Sequence, residues 1–355
     1  MVDKSRGRGY TLGMGYFLFL ALALLPVRAL AGEKTIYGED GRVDFWQVTD
    51  KVQRRVMGSA VSVFNSTGTL ACAGGECSFS GPPFAHENRA ICPGERFFDQ
   101  PSGAVCSGTL VGPDLVLTAA HCLEPKEGSP PPCRTTRFVF GYSVPREGAL
   151  PRKVPASEVY SCRAVALYAL ENGDDYALVR LNRRVSGHEP AQVDYRLPST
   201  GTPVFTVGSP HGLPLKVLGG ARVRQVFADA PQMFITDLDA SGGISGGGVF
   251  SSATGKLIGI HVASYDTDTE VVPLPAGHGL PPGDRRVLKG KCRAIKRYAQ
   301  DAGDGKKTVA IPSVRKLRAF LPASGKEEAE SLPPVEPANA PPPGVAEYVN
   351  SAFER

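Results

Sequence analysis

At 355 residues the chain is long enough for one to three domains, and 42% apolar with 21% charged side chains is the make-up of a globular protein, not a fibrous or low-complexity one. Glycine (41) and proline (31) are both frequent, which favours short strands and turns over long helices. A net charge of +5 is too small to argue for a nucleic-acid partner.

The first 31 residues read as a secretory signal. Lys4, Arg6 and Arg8 form a basic start, Tyr16 to Leu25 is an unbroken apolar run, and Ala29-Leu30-Ala31 is a small-x-small cleavage site. The run has about half the ~20 residues a membrane-spanning helix needs. No cysteine stands at the cleavage point, so no lipid anchor is indicated. Removing residues 1–31 takes four basic side chains and one acidic one, which lowers the charge from +5 to +2. The expected mature protein is secreted or periplasmic, off the membrane, without a nucleic-acid partner, and a monomer.

All eight cysteines (72, 77, 92, 106, 122, 133, 162, 292) fall after the signal, and an even count in an exported chain favours disulfides. Zinc is the competing reading. Cys72 and Cys77 have loose ligand spacing but no Cys/His pair follows at the usual interval, so no metal and no cofactor are expected.

Residues 32–56 are mixed and charged, with Trp46 the only tryptophan, and are expected to be an N-terminal extension or propeptide. Gly58 to Phe64 alternates and reads as a strand. Asn65-Ser66-Thr67 is a glycosylation sequon, meaningful only in a eukaryotic secretory route. Residues 68–100, with three cysteines and Pro82-Pro83, read as an irregular segment braced by disulfides. Strand patterns follow over Cys106–Val111, Leu115–Thr118, Arg137–Tyr142, Val159–Leu167, Ala177–Leu181, Pro203–Val207, Ala221–Phe227, Met233–Leu238, Val249–Phe250 and Lys256–Val262. Thr254-Gly255 is a hairpin turn between the last two. Short strands at this spacing indicate an all-β sandwich or barrels. A short C-terminal helix is expected from Pro312-Ser313, with Val314, Leu317 and Leu321 on one face. The Pro- and Glu-rich tail from 323 to 355 has too little apolar content to fold. There is no internal repeat.

Three segments carry candidate chemistry. In Asp237-Leu238-Asp239-Ala240-Ser241-Gly242-Gly243-Ile244-Ser245-Gly246-Gly247-Gly248, one serine sits among glycines that let a ligand approach the main chain. A serine hydroxyl with amides aimed at the same spot suits acyl transfer. In Thr118-Ala119-Ala120-His121-Cys122 the histidine follows a β-rich hairpin whose first residue, Cys106, is well placed to bridge Cys122 and so fix the turn. In Asp174-Asp175-Tyr176-Ala177-Leu178 an acid stands at the head of an apolar strand, where it can orient an imidazole; Asp175, abutting the strand, is the better candidate.

Together these segments resemble the chymotrypsin-like serine proteases, with Leu117-Thr118-Ala119-Ala120-His121-Cys122, Asp175-Tyr176-Ala177-Leu178 and Gly243-Ile244-Ser245-Gly246-Gly247 in the family's order. The resemblance runs from about residue 57 to 322. It is nearer to bacterial trypsin-like peptidases, including the staphylococcal glutamyl endopeptidase group, whose serine segment Asp237-Leu238-x-x-x-Gly242-Gly243-x-Ser245-Gly246 is similar to. The resemblance implies an all-β fold of two six-stranded antiparallel barrels, the first over about 57–190 and the second over about 200–311. It implies an endopeptidase acting on polypeptides through His121, Asp175 and Ser245, with the backbone N–H groups of Gly243 and Ser245 as oxyanion hole. It makes a Cys133–Cys162 bridge plausible and leaves three pairings open among Cys72, Cys77, Cys92 and Cys292.

Two departures bear on function. Ile244 stands where digestive members carry an aspartate that pairs with a new N-terminal amine, which leaves open an inactive, binding homologue. Gly243-x-Ser245-x-Gly247 also fits an esterase elbow, but that fold needs its acid and histidine after the serine. For specificity, Asp239 lies where trypsin-like members bind Arg or Lys, and His261 where glutamyl-specific members bind an acid. A buried anion and cation in one pocket would pair and leave it suited to an uncharged side chain; the balance of the two leans slightly to basic substrates.

Overall fold

The computed structural model describes residues 35–65, 69–84, 90–124, 132–263, 269–277, 290–303 and 305–321. The expected signal, the tail over 323–355 and residues 66–67 of the sequon lie outside them.

The first barrel is built from β1 (Ala60–Asn65), β2 (Cys106–Gly112), β3 (Leu115–Thr118), β4 (Thr136–Val139), β5 (Val159–Glu171) and β6 (Asp174–Leu181). They close in the order β5-β6-β3-β2-β1-β4, every pair antiparallel, with β4 returning to β5. Alternation explains the closure: Val61, Val63, Leu110, Val116, Phe138 and Val179 point inward and form one buried cluster. Each such side chain contributes about 1.5–3 kcal/mol by leaving water. Asp175 enters at the head of β6, whose Ala177–Arg180 pair with Leu115–Thr118 of β3, the strand that runs into His121.

The second barrel comprises β7 (Pro203–Gly208), β8 (Lys216–Val226), β9 (Met233–Thr236), β10 (Gly248–Ser251), β11 (Leu257–Ala263) and β12 (Lys306–Ala310). They pair β7-β10-β11-β12-β9-β8, and β8 returns to β7, so six antiparallel strands again close. The serine loop spans the gap between β9 and β10. A further cluster mixes Leu117 and Leu178 of the first barrel with Phe205, Val207, Phe250 and Ile260 of the second, so the two share a core.

Residues 35–56, expected to be an N-terminal extension or propeptide, are ordered: Ile36–Tyr37 lies parallel to Arg297–Tyr298 in a small separate sheet, Arg42–Asp44 extends the second barrel's sheet beside β8, and Asp50 caps the helix Lys51–Val56 by accepting from Gln53 N. The structure departs from the sequence reading in three places. Within 68–100, Leu70–Ala73 and Glu76–Phe79 form a regular hairpin with Cys72 bonded to Cys77 across it. β12 was not legible, because its Lys306-Lys307 start hides a short apolar run. The helix expected from Pro312 is a 3-10 turn over Ile311–Ser313, then one α-turn, Leu317–Phe320; Lys316, at φ 62°, breaks the continuity.

Disulfides join Cys106 to Cys122, Cys133 to Cys162, Cys72 to Cys77 and Cys92 to Cys292. The Cys92–Cys292 bridge ties together two stretches 200 positions apart. No described helix is long and apolar enough to cross a membrane.

Candidate active site

β3 delivers its chain into a 3-10 turn, Ala120–Leu123, that carries His121. The Cys106–Cys122 bridge pins that turn to the start of β2. Asp175 then grips the histidine at two points. Oδ1 accepts from the His121 backbone N–H at 3.1 Å, and Oδ2 lies 2.6 Å from ring Nδ1. With Nδ1 committed to the carboxylate as donor, Nε2 is the ring's acceptor. Burial alone would lower the His121 pKa; the hydrogen bond and charge of Asp175, with the charge of Glu124, outweigh it and hold the group above the usual imidazole value. Asp174 faces Arg315 at 3.6 Å instead.

Ser245 is held against the turn that carries His121 by its own main chain. Its carbonyl accepts from Ser107 N at 2.8 Å, and the Cys122 sulfur lies 3.6 Å from the same oxygen. On the other side Gly246 N donates to His261 O at 2.8 Å and His261 N to Gly247 O at 2.9 Å, zipping the loop to β11. Gly243 has φ +94°, and a Cβ there would meet the Ser209 carbonyl oxygen at 2.4 Å, so only glycine fits.

The carbonyls flanking the Gly243 amide are both tied away. Gly242 O accepts from His211 N at 2.6 Å, and Gly243 O accepts from Ser107 Oγ at 2.7 Å. A trans peptide points its C=O and the following N–H in opposite directions. Holding Gly242 O against His211 therefore turns the Gly243 N–H away from that residue. Ser107 Oγ in turn accepts from Ser209 N at 2.9 Å, and Ser209 Oγ shares a 2.7 Å bond with Ser62 Oγ. The network runs from the first barrel into the loop.

Ile244 is fully buried in the second barrel's core with Val204, Leu218, Phe234 and Val249. An apolar anchor thus occupies the position where digestive enzymes use an ion pair.

The two specificity candidates do not pair as ions. Asp239 is 4% exposed, with Oδ1 accepting from Tyr37 N and Oδ2 from Gly41 N, both at 2.8 Å. Burial, the largest influence, pushes it up to about 6 against the pull of these two amides. His261 is completely buried; burial first, then the charges of Lys306 and His121, push it down to about 3, so it is neutral. A neutral His261 therefore offers Asp239 no imidazolium to pair with.

Among the described residues the one grouping of metal-ligand atoms is Cys106, His121 and Cys122. Both sulfurs are consumed in one disulfide, so the set offers no thiolate.

Sequence reasoning passed over Ser107, Ser209, Tyr37 and Gly41. Nothing marks a backbone amide or a second serine as a partner until the chain is folded. His211 sits at φ 54°, packs at a tilt against Phe84 with ring centroids 5.1 Å apart and contributes its amide to the loop. His188 bridges Gly58 O and Glu158 away from this site. His86 and His278 lie outside the described residues.

Residues 106–260 match the family model of the trypsin-like peptidase domain. No curated protein matches the chain. Among solved structures, Rv3671c of M. tuberculosis H37Rv, as the inactive form of a serine-to-alanine mutant, is 13% identical, with 82% of this chain and 98% of that one covered at a TM-score of 0.42. A Glu endopeptidase is 15% identical over 65% of this chain and 88% of its own, at a TM-score of 0.40. The serine endoprotease of Yersinia pestis is 15% identical over 69% and 61%, at 0.38.

Proposed function

We propose that this chain, a serine protease with a trypsin-like peptidase domain, is an exported endopeptidase that works through His121, Asp175 and Ser245. The observation that carries the reading is the two-point grip of Asp175 on His121, at backbone and ring. His188 also meets a carboxylate, at 2.7 Å, but its other ring nitrogen is taken by Gly58 O, whereas Asp175 holds His121 through backbone and Nδ1 and leaves Nε2 as the acceptor.

In this mechanism Ser245 Oγ attacks the scissile carbonyl carbon while His121 Nε2 takes the hydroxyl proton. Asp175 offsets the imidazolium charge. The carbonyl π-electrons move onto oxygen, where the N–H groups of Gly243 and Ser245 receive them. Collapse expels the amine, protonated by His121, and leaves an acyl-enzyme; water, deprotonated by the same nitrogen, hydrolyses it. One oxyanion donor is typically worth about 10²–10³ in rate.

Polypeptides are the substrates of such a fold. Four disulfides among the described residues support an oxidising destination, outside the cell or in a periplasm, with the chain acting as a monomer.

The test is labelling of the oxidised protein by a fluorophosphonate probe, followed by mapping of the modified residue. Labelling at Ser245, lost in Ser245→Ala, is expected. A folded protein that takes no label at Ser245 refutes the reading.

A further inference from the structure

Asp239 occupies the position at which sequence reasoning looked for substrate selection, yet both its oxygens already have partners within the chain. Tyr37 N and Gly41 N each reach one oxygen at 2.8 Å, from about 200 positions upstream. The approach is built on both sides. A Cβ on Gly41 would meet Gly219 O at 2.6 Å and Asp239 Oδ2 at 3.3 Å, so the strand can come this close only as glycine. Gly38, at φ +69°, passes against the Gln300 side chain, and Gln300 Nε2 donates to Asp237 Oδ2 at 2.9 Å.

The segment is held along its length. Ile36 N bonds to Lys296 O and Gly38 N to Tyr298 O. Ile36 is wholly buried with Phe84, Ile91, Leu213 and Ile295. Leu213 ends the turn whose His211 N holds Gly242 O. Downstream, Arg42 and Lys216 are both fully buried: Arg42 bonds Asp40 in a bidentate pair, and Lys216 meets Asp44 at 2.7 Å and Gln100 Oε1 at 2.7 Å. A loosely tethered propeptide has no use for buried charges matched on both sides.

We propose that Asp239 is a positioning residue and not a reader of basic substrate side chains: it is the socket into which residues 35–44 dock, and that docked strap holds the serine loop in working shape. This rests on the endopeptidase reading of Ser245. Each Asp239 oxygen already accepts one strap amide and the residue is only 4% exposed, so a substrate cation would have to compete with the strap for this carboxylate. The strap reaches the loop at its specificity arm through Asp239, and supports the turn behind Gly242 through Ile36 and Leu213. It does with main-chain amides in an uninterrupted chain what Ile244 cannot do with charge. The active enzyme must therefore retain its chain at least from Tyr37.

The experiment compares the wild-type full chain with Asp239→Asn on matched peptides bearing arginine, leucine or glutamate before the scissile bond. The asparagine keeps size but replaces one acceptor with an NH2 group that faces an amide donor. The expected result is a fall in kcat of roughly 10–100-fold on every peptide cleaved, the loss of about 1.4–2.8 kcal/mol at 1.4 per tenfold. The preference between peptides stays within about threefold, and the amides of Tyr37 and Gly41 lose protection from hydrogen exchange. A loss confined to the arginine peptide overturns the proposal, as does an unchanged kcat. Gly41→Val attacks the same contact from the strap and must reproduce the substrate-independent loss in protein that remains folded by circular dichroism; wild-type kcat there also overturns it. N-terminal sequencing of the active protein supplies a third readout: an active form that begins beyond Gly41 refutes the docking role. If wild type takes no fluorophosphonate at Ser245, the endopeptidase reading fails instead, and the exchange of Tyr37 and Gly41 in Asp239→Asn still decides whether the socket exists.

Discussion

Ser107→Ala is the sharpest test of how the serine loop is held. Ser107 is completely buried, and its hydroxyl makes two bonds, donating to Gly243 O at 2.7 Å and accepting from Ser209 N at 2.9 Å. Alanine removes both at once and leaves the half-buried Gly243 carbonyl and the buried Ser209 N–H without those partners. A buried polar group left unpaired costs about 1–3 kcal/mol, against a net gain of about 1 kcal/mol for an ordinary hydrogen bond. Gly243 is only half-buried, so its share lies at the low end and the two together come to about 2–4 kcal/mol. Part of that appears as lost stability, and part as the loop populating orientations in which the Gly243 N–H no longer faces the substrate. At about 1.4 kcal/mol per tenfold, half the total is a fall in kcat of ~10-fold and all of it several hundredfold. KM changes little, because ground-state binding does not use the oxyanion donors. The assay is steady-state kinetics on a peptide substrate, with thermal unfolding on the same preparation. A variant that melts within a degree or two of wild type and keeps kcat within twofold refutes the argument that Ser107 holds the loop. The Ser107 backbone N–H to Ser245 O is untouched by this substitution.

Asp175→Asn should lower kcat by about 10⁴-fold, because the amide permits the wrong ring tautomer. It should also move the acid limb of kcat/KM down in pH, since the wild-type limb is held above the ordinary ~6.5 of imidazole by this carboxylate; a pH profile with an unmoved limb contradicts that cause. The sign for stability is the same: a raised His121 contributes below about pH 6.5 and loses that contribution as pH climbs through the folded value. Lys216→Met leaves Asp44 buried without its cation and should cost about 3–5 kcal/mol in denaturant unfolding, while Lys216→Met with Asp44→Asn should recover most of it. Ile244→Asp, which restores the acid of digestive enzymes, should destabilise by several kcal/mol, because the carboxylate would enter an apolar cluster with no cation described beside it; a variant as stable as wild type and more active would refute the anchoring role of Ile244.

What could be read before folding was local. Alternating apolar runs placed eleven of the twelve barrel strands, β8 over its second half only, because a two-sided core imposes its period on the side chains that fill it. β12 escaped because Lys306 is buried in spite of its charge, and the first half of β8 because Lys216 is. The Cys106–Cys122 bridge was legible because its partners flank one hairpin, whereas Cys92–Cys292 joins stretches 200 positions apart that pair directly through Ile91 and Arg293, a contact no local pattern announces. The residues of the candidate triad were legible by type and order. The supports of the serine loop were not, because they are amides and a serine hydroxyl whose significance depends on what lies opposite. Asp239 shows the limit most clearly. Its distance from Ser245 suggested a role facing the substrate, and the chain's own backbone takes that carboxylate.

These supports share a physical character that changes how the site would be assembled. In the proposed mechanism the loop must present the Gly243 and Ser245 amides before substrate arrives. An ion pair could hold it, but its formation would depend on a freshly cut amine. Here Ile244 is held by burial, Gly243 O by a neutral hydroxyl, Gly242 O by a backbone N–H and Asp239 by two more. Three of the four involve no formal charge, so salt barely screens them, and none waits for a proteolytic event. The loop would then be competent as soon as the second barrel closes around Ile244 and the N-terminal segment pairs along β8. Competence would then follow folding itself, through the disulfides that fix His121 and the 92–292 connection, and those form only where the chain meets an oxidising environment.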